Sequence, residues 1–184
     1  MDKIGMLERT YAHTAHLLEG LPASALRAST PCSGWDVHQL IDHMLGIIET
    51  FTALAGGQEP TPSAGLVGPD AAAAFATATS ANLAAWREPE AMDRFLDVGL
   101  GPMAGSRAVL VNATDTLVHA WDLAKATGQD PLLPNDIADA CYEAVRVLPL
   151  DAARAAGAFA PEVQVSPMAD PTERLVALLG RTPG

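Results

Sequence analysis

Three polar side chains stand at helical spacing in the segment 115–122, which reads DTLVHAWD. Asp115 and His119 are four residues apart and Asp122 follows three residues later, so a helix would place all three near one another. A carboxylate and an imidazole at this spacing can bind one divalent metal ion together, provided that a neighbouring helix supplies a third ligand. The candidate for that ligand is His43. The spacing therefore predicts a metal site made by His43, Asp115 and His119 in a helical protein.

The same spacing has other interpretations. On an exposed helix the two carboxylates would simply pair with His119, and acid–histidine pairs of this kind are common. His119 could also be a structural histidine that donates a hydrogen bond to a neighbouring carboxylate. Asp122 could replace Asp115 as the metal ligand or orient the His119 ring by a hydrogen bond, and we favour the orienting role. At about 100° per residue, Asn112 falls on the same polar face as these residues.

Composition excludes several classes of function. The formal net charge is −11, from 22 acidic and 11 basic residues, and no cluster of lysines or arginines interrupts it. Such a surface repels phosphate groups, so we expect neither nucleic acid nor a membrane among the partners. No apolar run approaches the roughly 20 residues of a membrane span, and the N-terminus lacks the pattern of a signal peptide. We therefore expect a cytoplasmic protein.

The two cysteines, Cys32 and Cys141, lie too far apart in the sequence to indicate a disulfide framework. Each is expected to be a small buried hydrophobic side chain rather than a reactive thiol. At 184 residues the chain is expected to form a single domain, 1–184, with a core large enough to need no disulfide or structural metal.

Periodic apolar residues predict the elements that must position the site. We expect four long helices: 3–20, a second that begins at a capping box of Ser33 and Asp36 and ends at Gly56-Gly57, 71–88, and 106–127. The Pro- and Gly-rich residues 57–70 are predicted to be a loop, 95–98 a short extended piece and 99–105 a turn-rich connection. Further helices are expected after Asn135, as a cap, and from Asp170 to Gly180. The predicted class is all-α, a four-helix bundle with short helical additions at the C-terminus.

Three motifs together resemble the DinB-like superfamily: TPCSGWDV at 30–37, LIDH at 40–43 and DTLVHAWDL at 115–123. More narrowly they resemble its actinobacterial branch, which is related to the mycothiol-dependent maleylpyruvate isomerases. The segments FAPEV at 159–163 and RLVALLGR at 174–181 are similar to the endings of that branch, so the resemblance covers nearly the whole chain. It implies an up-down-down-up four-helix bundle with a long crossover after the second helix, where residues 57–70 stand.

The resemblance also implies a divalent metal, commonly zinc or nickel, bound by a histidine of the second helix and a pair of residues on the fourth. Matched motif by motif, these ligands are His43, Asp115 and His119. The acidic ligand of the isomerase branch is usually glutamate, and Asp115 is shorter by one methylene group. The isomerases carry a separate C-terminal domain that contributes to the active site. We expect this chain to lack that domain, which argues against maleylpyruvate isomerisation itself.

Three protein ligands leave one metal position open, which is typical of a catalytic site. The resemblance implies that a small thiol such as mycothiol takes that position and is deprotonated there at neutral pH. The protein would then be a metal-dependent thiol S-transferase that acts on an electrophilic substrate. With water in the same position, hydrolysis would be the reaction instead.

Two other functions stay open beside the enzyme. The protein could be a binding or stress-response protein that holds a metal or small molecule without turnover, or a metal-free member that acts through dimerisation. The sequence leaves open whether the protein is catalytic and assigns no catalytic residue beyond the metal ligands. Since dimers are common in the superfamily, we expect a homodimer.

Overall fold

The computed structural model describes residues 2–155 and 157–183, and this part of the chain is mostly helical, as predicted. One short 3-10 helix, Ala23–Arg27, lies between the first two α-helices. The α-helices are α1 (Lys3–Leu18), α2 (Val37–Ala55), α3 (Ala71–Trp86), α4 (Gly105–Thr127), α5 (Asn135–Val145), α6 (Leu150–Ala155) and α7 (Pro171–Leu178).

The four long helices pack in a ring. Helix α1 contacts α3 and α4, and α2 also contacts α3 and α4. The core inside the ring is made of large apolar side chains that recur at helical spacing on each member. Fully buried examples are Leu7, Ile41, Ile48, Phe75, Trp86 and Leu117.

Helix α4 is the most enclosed element, because it contacts α1, α2, α5 and α7. Its buried residues therefore point in nearly every direction around the helix rather than along one stripe. Several of them are polar: Asn112, Thr114, Thr116, His119 and Asp122. This enclosure decides where the candidate site lies, since it brings polar side chains of α4 inside the protein.

The N-cap of helix α2 lies three residues later than predicted, at Asp36 instead of Ser33. The Asp36 carboxylate accepts a hydrogen bond from the Gln39 backbone N–H at 2.9 Å. In return, the Gln39 side chain accepts from the Asp36 backbone N–H at 3.0 Å. The prediction that Ser33 caps the helix is wrong, because Asp36 performs that role itself. The predicted end is confirmed, as Gly56 follows the last residue of α2.

Of the three helix ends predicted for the later helices, two are confirmed. Asp170 caps α7 in a capping box with Glu173, and Gly128 ends α4 in the left-handed region at φ 70°. The predicted Asn135 cap is wrong. Asn135 is already the first residue of α5, and Pro134 precedes it without a side-chain hydrogen bond.

A small hairpin replaces part of the connection that was expected to consist of turns. The extended piece forms β1 (Phe95–Asp97), which pairs antiparallel with β2 (Pro102–Ala104) and places Leu96 opposite Met103. Both side chains are buried, so the hairpin is held to the core by its apolar face. Helix α4 starts directly after β2 at Gly105, where a Cβ would lie 1.9 Å from the Ala91 carbonyl oxygen.

The connection between α2 and α3 is irregular, as predicted, and α2 holds it in place. Asp42 accepts backbone N–H hydrogen bonds from Gly65 at 3.0 Å, Leu66 at 2.5 Å and Val67 at 3.3 Å. None of the helices formed by the described residues is long and apolar enough to cross a membrane.

Candidate metal centre

Helices α2 and α4 pack side by side and bring together the three residues predicted as metal ligands. His43 Nε2 lies 3.9 Å from Asp115 Oδ2, and His119 Nε2 lies 3.9 Å from the same oxygen. The ligand atoms of the three residues are all within 4.8 Å of one another. The shorter Asp115 therefore still reaches a position between both imidazoles.

The donor set fits a divalent metal. These nitrogen–oxygen separations are too long for hydrogen bonds. Metal–ligand bonds of about 2.0–2.2 Å place two ligands of one ion about 3–3.5 Å apart, so small side-chain shifts would close the site. Asp115 Oδ1 is buried with no hydrogen-bond partner in the described chain, which is rare for a carboxylate oxygen. Burial opposes its ionisation, but the charges of His119 and His43 lower the pKa of Asp115 below its usual value.

Asp122 lies on the other side of the His119 ring. His119 Nδ1 is 2.9 Å from Asp122 Oδ2, and because a carboxylate only accepts hydrogen bonds, Nδ1 carries the proton. In the neutral imidazole the lone pair is then on Nε2, which faces Asp115 and His43. This geometry is the one expected of a carboxylate that orients a metal-binding histidine.

Arg181 completes the surroundings of Asp122 and was missed by sequence reasoning. Its guanidinium donates to Asp122 Oδ2 at 2.7 Å and, through Nε, to Asp122 Oδ1 at 3.3 Å. Burial opposes the charge on Asp122, but the hydrogen bonds from His119 and Arg181 lower its pKa to about 2. Arg181 follows α7 and lies 59 residues from Asp122 in sequence, and no spacing rule predicts that contact.

Cys32 differs from the expectation of a buried hydrophobic side chain, which holds only for Cys141. Its thiol donates to Asp122 Oδ2 at 3.1 Å, and an Arg181 N–H lies 3.4 Å from the sulfur. Burial and the charge of Asp122 raise the pKa of the Cys32 thiol to about 12, so it is neutral at pH 7.

Cys32, His119 and Asp122 also form a second group with metal-ligand geometry. In this group the positive charge is already supplied by the Arg181 guanidinium, which contacts Asp122 directly. The thiol and His119 Nδ1 both face Asp122 within hydrogen-bond range, so their polar atoms have partners. The first group, which contains the buried and unpartnered Asp115 Oδ1, is therefore the better candidate for a metal site.

Asn112 does not belong to the site, although the helical projection placed it on the same face. Its Oδ1 accepts hydrogen bonds from Trp86 Nε1 at 3.0 Å and from the Tyr11 hydroxyl at 3.3 Å. The Tyr11 hydroxyl also donates to Asn82 Oδ1 at 2.8 Å. Because α4 is enclosed on several sides, Asn112 points into the core between α1 and α3 rather than towards α2.

A cavity of about 560 Å³ opens beside the candidate ligands, and His43, Asp115 and His119 line it. The Trp35 ring covers one side of the site, with its centroid 4.7 Å from that of His43. A small molecule in the cavity would therefore reach the ligands directly. A larger hollow of about 750 Å³, between α2 and α3, contains none of these residues.

The family model of the mycothiol maleylpyruvate isomerase N-terminal domain matches residues 7–124. All three candidate ligands and Asp122 lie within that range. Two relatives from Mycobacterium tuberculosis are similar over almost their full length: the uncharacterized proteins MT0763 of strain CDC 1551 / Oshkosh and Rv0738 of strain ATCC 25618 / H37Rv. Each is 34% identical to this chain over 185 residues, which covers 99% of both partners.

Among solved structures, a mutant of the mycothiol-dependent maleylpyruvate isomerase aligns with a TM-score of 0.57 and 17% sequence identity. The alignment covers 66% of this chain and 59% of the isomerase, so this chain spans about three-fifths of that protein's length. At this identity the likeness shows a shared fold. The family model, by contrast, matches well over half of the sequence and confirms the resemblance carried by its motifs. The chain therefore belongs to the mycothiol maleylpyruvate isomerase N-terminal domain family.

Proposed function

We propose that the protein binds a divalent metal through His43, Asp115 and His119 and acts as a metal-dependent thiol S-transferase, with mycothiol or a similar small thiol as co-substrate. One observation carries the proposal. Two imidazole nitrogens face one oxygen of the partly buried Asp115 carboxylate at 3.9 Å each, and the other oxygen of that carboxylate is buried without a hydrogen-bond partner among the described residues. The name of the solved structural relative, a mycothiol-dependent enzyme, supports a thiol as the partner.

The proposal includes the architecture. The ring of contacts among α1, α2, α3 and α4 supports a four-helix bundle within a single domain, 1–184. We assign the up-down-down-up order to it, with residues 57–70 as the crossover that Asp42 holds against α2. The homodimer is also part of the proposal, and light scattering after size exclusion tests it.

Zinc is the metal we assign, with nickel as the alternative, because imidazole and carboxylate ligands suit both ions. When bound, the metal would supply a Lewis acid that lowers the pKa of a thiol and makes its thiolate available at neutral pH. Asp122 holds His119 in the tautomer that presents Nε2. Arg181 in turn keeps Asp122 charged and in place.

The proposed reaction joins the thiol sulfur to an electrophilic carbon. The S–H bond breaks and the S–C bond forms. The bond from that carbon to its leaving group breaks, the leaving group departs with the electron pair, and the proton passes to solvent. Trp35, Phe51 and Phe159 line the cavity beside the ligands, and a substrate packed against them would displace water from around the thiol. Exclusion of water favours transfer to the acceptor over hydrolysis.

Elemental analysis of the untagged protein tests the metal site. We expect near-stoichiometric zinc or nickel in the parent protein and loss of the metal in His43→Ala and His119→Ala. His16→Ala is the matched control, because His16 is exposed on α1 and pairs with the exposed Glu19, away from the candidate ligands. The site assignment is wrong if both site variants bind metal as well as the parent protein does.

Thiol consumption in the presence of an electrophile tests the activity. We expect consumption by the metal-loaded protein, no consumption after treatment with a chelator, and recovery when the metal is added back. A protein that holds the metal at full occupancy and consumes no thiol with any electrophile is a binding protein, and the transferase assignment then fails.

A further inference from the structure

We propose that the acceptor is a neutral, largely apolar electrophile and not a dicarboxylate such as the maleylpyruvate of the relatives' name. That the bound molecule is an acceptor rests on the proposed function. Its chemical class, neutral and apolar, is inferred independently from the residues that line the cavity.

The wall beside the metal ligands is apolar. Aromatic and aliphatic side chains from the hairpin, α2, α4 and the C-terminal segment face the same space of about 560 Å³. That volume suits a small organic molecule. Representative lining residues are Ile47, Phe51, Val98, Leu100, Val111 and Phe159.

The wall offers no positive charge to a carboxylate. Among the described residues that line the cavity, Arg181 is the sole lysine or arginine. Its guanidinium is already paired with Asp122, a fully buried carboxylate. Asp115, on the same wall, would repel an anion in the metal-free protein. With the metal and a thiolate bound, the two positive charges of the ion are balanced by Asp115 and the thiolate, so no net positive charge is left for a dicarboxylate. A dicarboxylate would therefore lose its hydration without gaining partners, which is costly, whereas a neutral apolar molecule gains from the same burial.

The candidate metal ligands and much of the apolar wall come from different parts of the sequence. The candidate ligands lie inside the range 7–124 that matches the family model. Much of the apolar wall lies beyond it, contributed by Val145, Leu148, Leu150, Phe159 and Leu179. Members of the family can thus share the ligand set while this chain's own C-terminal segment selects the acceptor.

Equilibrium binding tests the inference without turnover. The probe is N-phenyl-1-naphthylamine, a neutral fluorophore, and the competitors are dimethyl terephthalate and the terephthalate dianion, which share one skeleton and do not react with thiols. We expect the diester to displace the probe at a concentration about tenfold lower or more than the dianion does, since the dianion must bury its charges. Both competitors are measured on chelator-treated protein and on zinc-loaded protein with saturating 2-mercaptoethanol, so that a thiol and not a carboxylate takes the open metal position.

A substitution pair links the preference to the wall. Leu148→Lys places a cation at a residue that lines the cavity. We expect it to weaken binding of the diester and strengthen binding of the dianion. Val147→Lys is the matched control, because the neighbouring Val147 is 54% exposed and does not line the cavity. Circular dichroism checks that both variants fold.

Equal or tighter binding of the dianion to either form of the parent protein would overturn the inference. The inference would also be overturned if Leu148→Lys, like Val147→Lys, left displacement of the probe by both competitors unchanged. Failure of the proposed function would give a different result. The protein would bind no metal, or would consume no thiol, while the chelator-treated protein still bound the diester more tightly than the dianion.

Discussion

The carboxylate of Asp122 lies 2.9 Å from His119 Nδ1, directly behind the imidazole whose other nitrogen faces Asp115 and His43. Because Asp122 is fully buried and also held by Arg181, the His119 ring has little freedom to rotate. A histidine fixed in this way would present Nε2 to the proposed metal before the ion arrives, so less side-chain entropy would be lost on binding.

Asp122→Asn should therefore weaken metal binding without removing a ligand. The amide retains the shape of the carboxylate but loses the charge that favours the Nδ1–H tautomer of His119. We expect metal affinity to fall about 10–100-fold, the usual effect of removing such a supporting carboxylate. A competition titration against a chromogenic chelator measures it. Asp93→Asn, at an exposed carboxylate in the turn before β1, should leave the affinity unchanged.

Arg181→Met should destabilise the protein, because it leaves the buried Asp122 carboxylate without its cation. Loss of one partner of a buried pair costs about 3–5 kcal/mol in the free energy of unfolding, which urea denaturation measures. Arg174→Met serves as control, since Arg174 pairs with the half-exposed Asp139 and should contribute about 0–1 kcal/mol. A loss no larger than that of the control would contradict a structural role for the Arg181–Asp122 pair.

Asp42 should make the protein more stable at neutral than at acidic pH. Burial opposes its ionisation, but the backbone N–H groups of Gly65 and Leu66 lower its pKa below the usual 3.8. A carboxyl with a lowered folded pKa stabilises the protein above its unfolded pKa, and that contribution is lost as the pH falls through the folded pKa.

Asp42→Asn should accordingly cost about 1–2 kcal/mol at neutral pH, because a neutral amide accepts the loop N–H bonds less strongly. The difference between parent and variant should shrink as the pH falls below the usual aspartate pKa of 3.8. Urea denaturation across the pH range measures both quantities. A difference that does not depend on pH would mean that the charge of Asp42 contributes nothing.

Asn112→Ala should destabilise the core and leave metal binding intact. It removes the acceptor of the Trp86 indole N–H and leaves that buried donor unsatisfied, which costs about 1–3 kcal/mol. Thr77→Ala on the exposed face of α3 is the control, with a change of about 0.5 kcal/mol or less. Loss of metal from the Asn112 variant while it remains folded would return Asn112 to the metal site.

The local features of this protein could largely be predicted from its sequence. Helices, the Gly56 and Gly128 ends, the Asp170 cap and the irregular 57–70 connection all follow from interactions between residues a few positions apart. The closeness of Asp115 and His119 belongs to the same category, since one helical turn separates them. The small hairpin was only half predicted, because the pairing of Leu96 with Met103 depends on what their side chains pack against.

Tertiary structure decided which side chains surround those local features. Amphipathic spacing assumes one buried face per helix, but α4 is enclosed by four other helices, so Asn112 turns into the core and Asp122 is fully buried. The contact of Arg181 with Asp122 joins residues 59 positions apart, and the apolar cavity wall is likewise assembled from several segments that are far apart in the sequence. Local spacing determines which atoms of one helix can meet. Only the packing of segments distant in sequence determines which charges lie near those atoms and how far they are exposed to solvent.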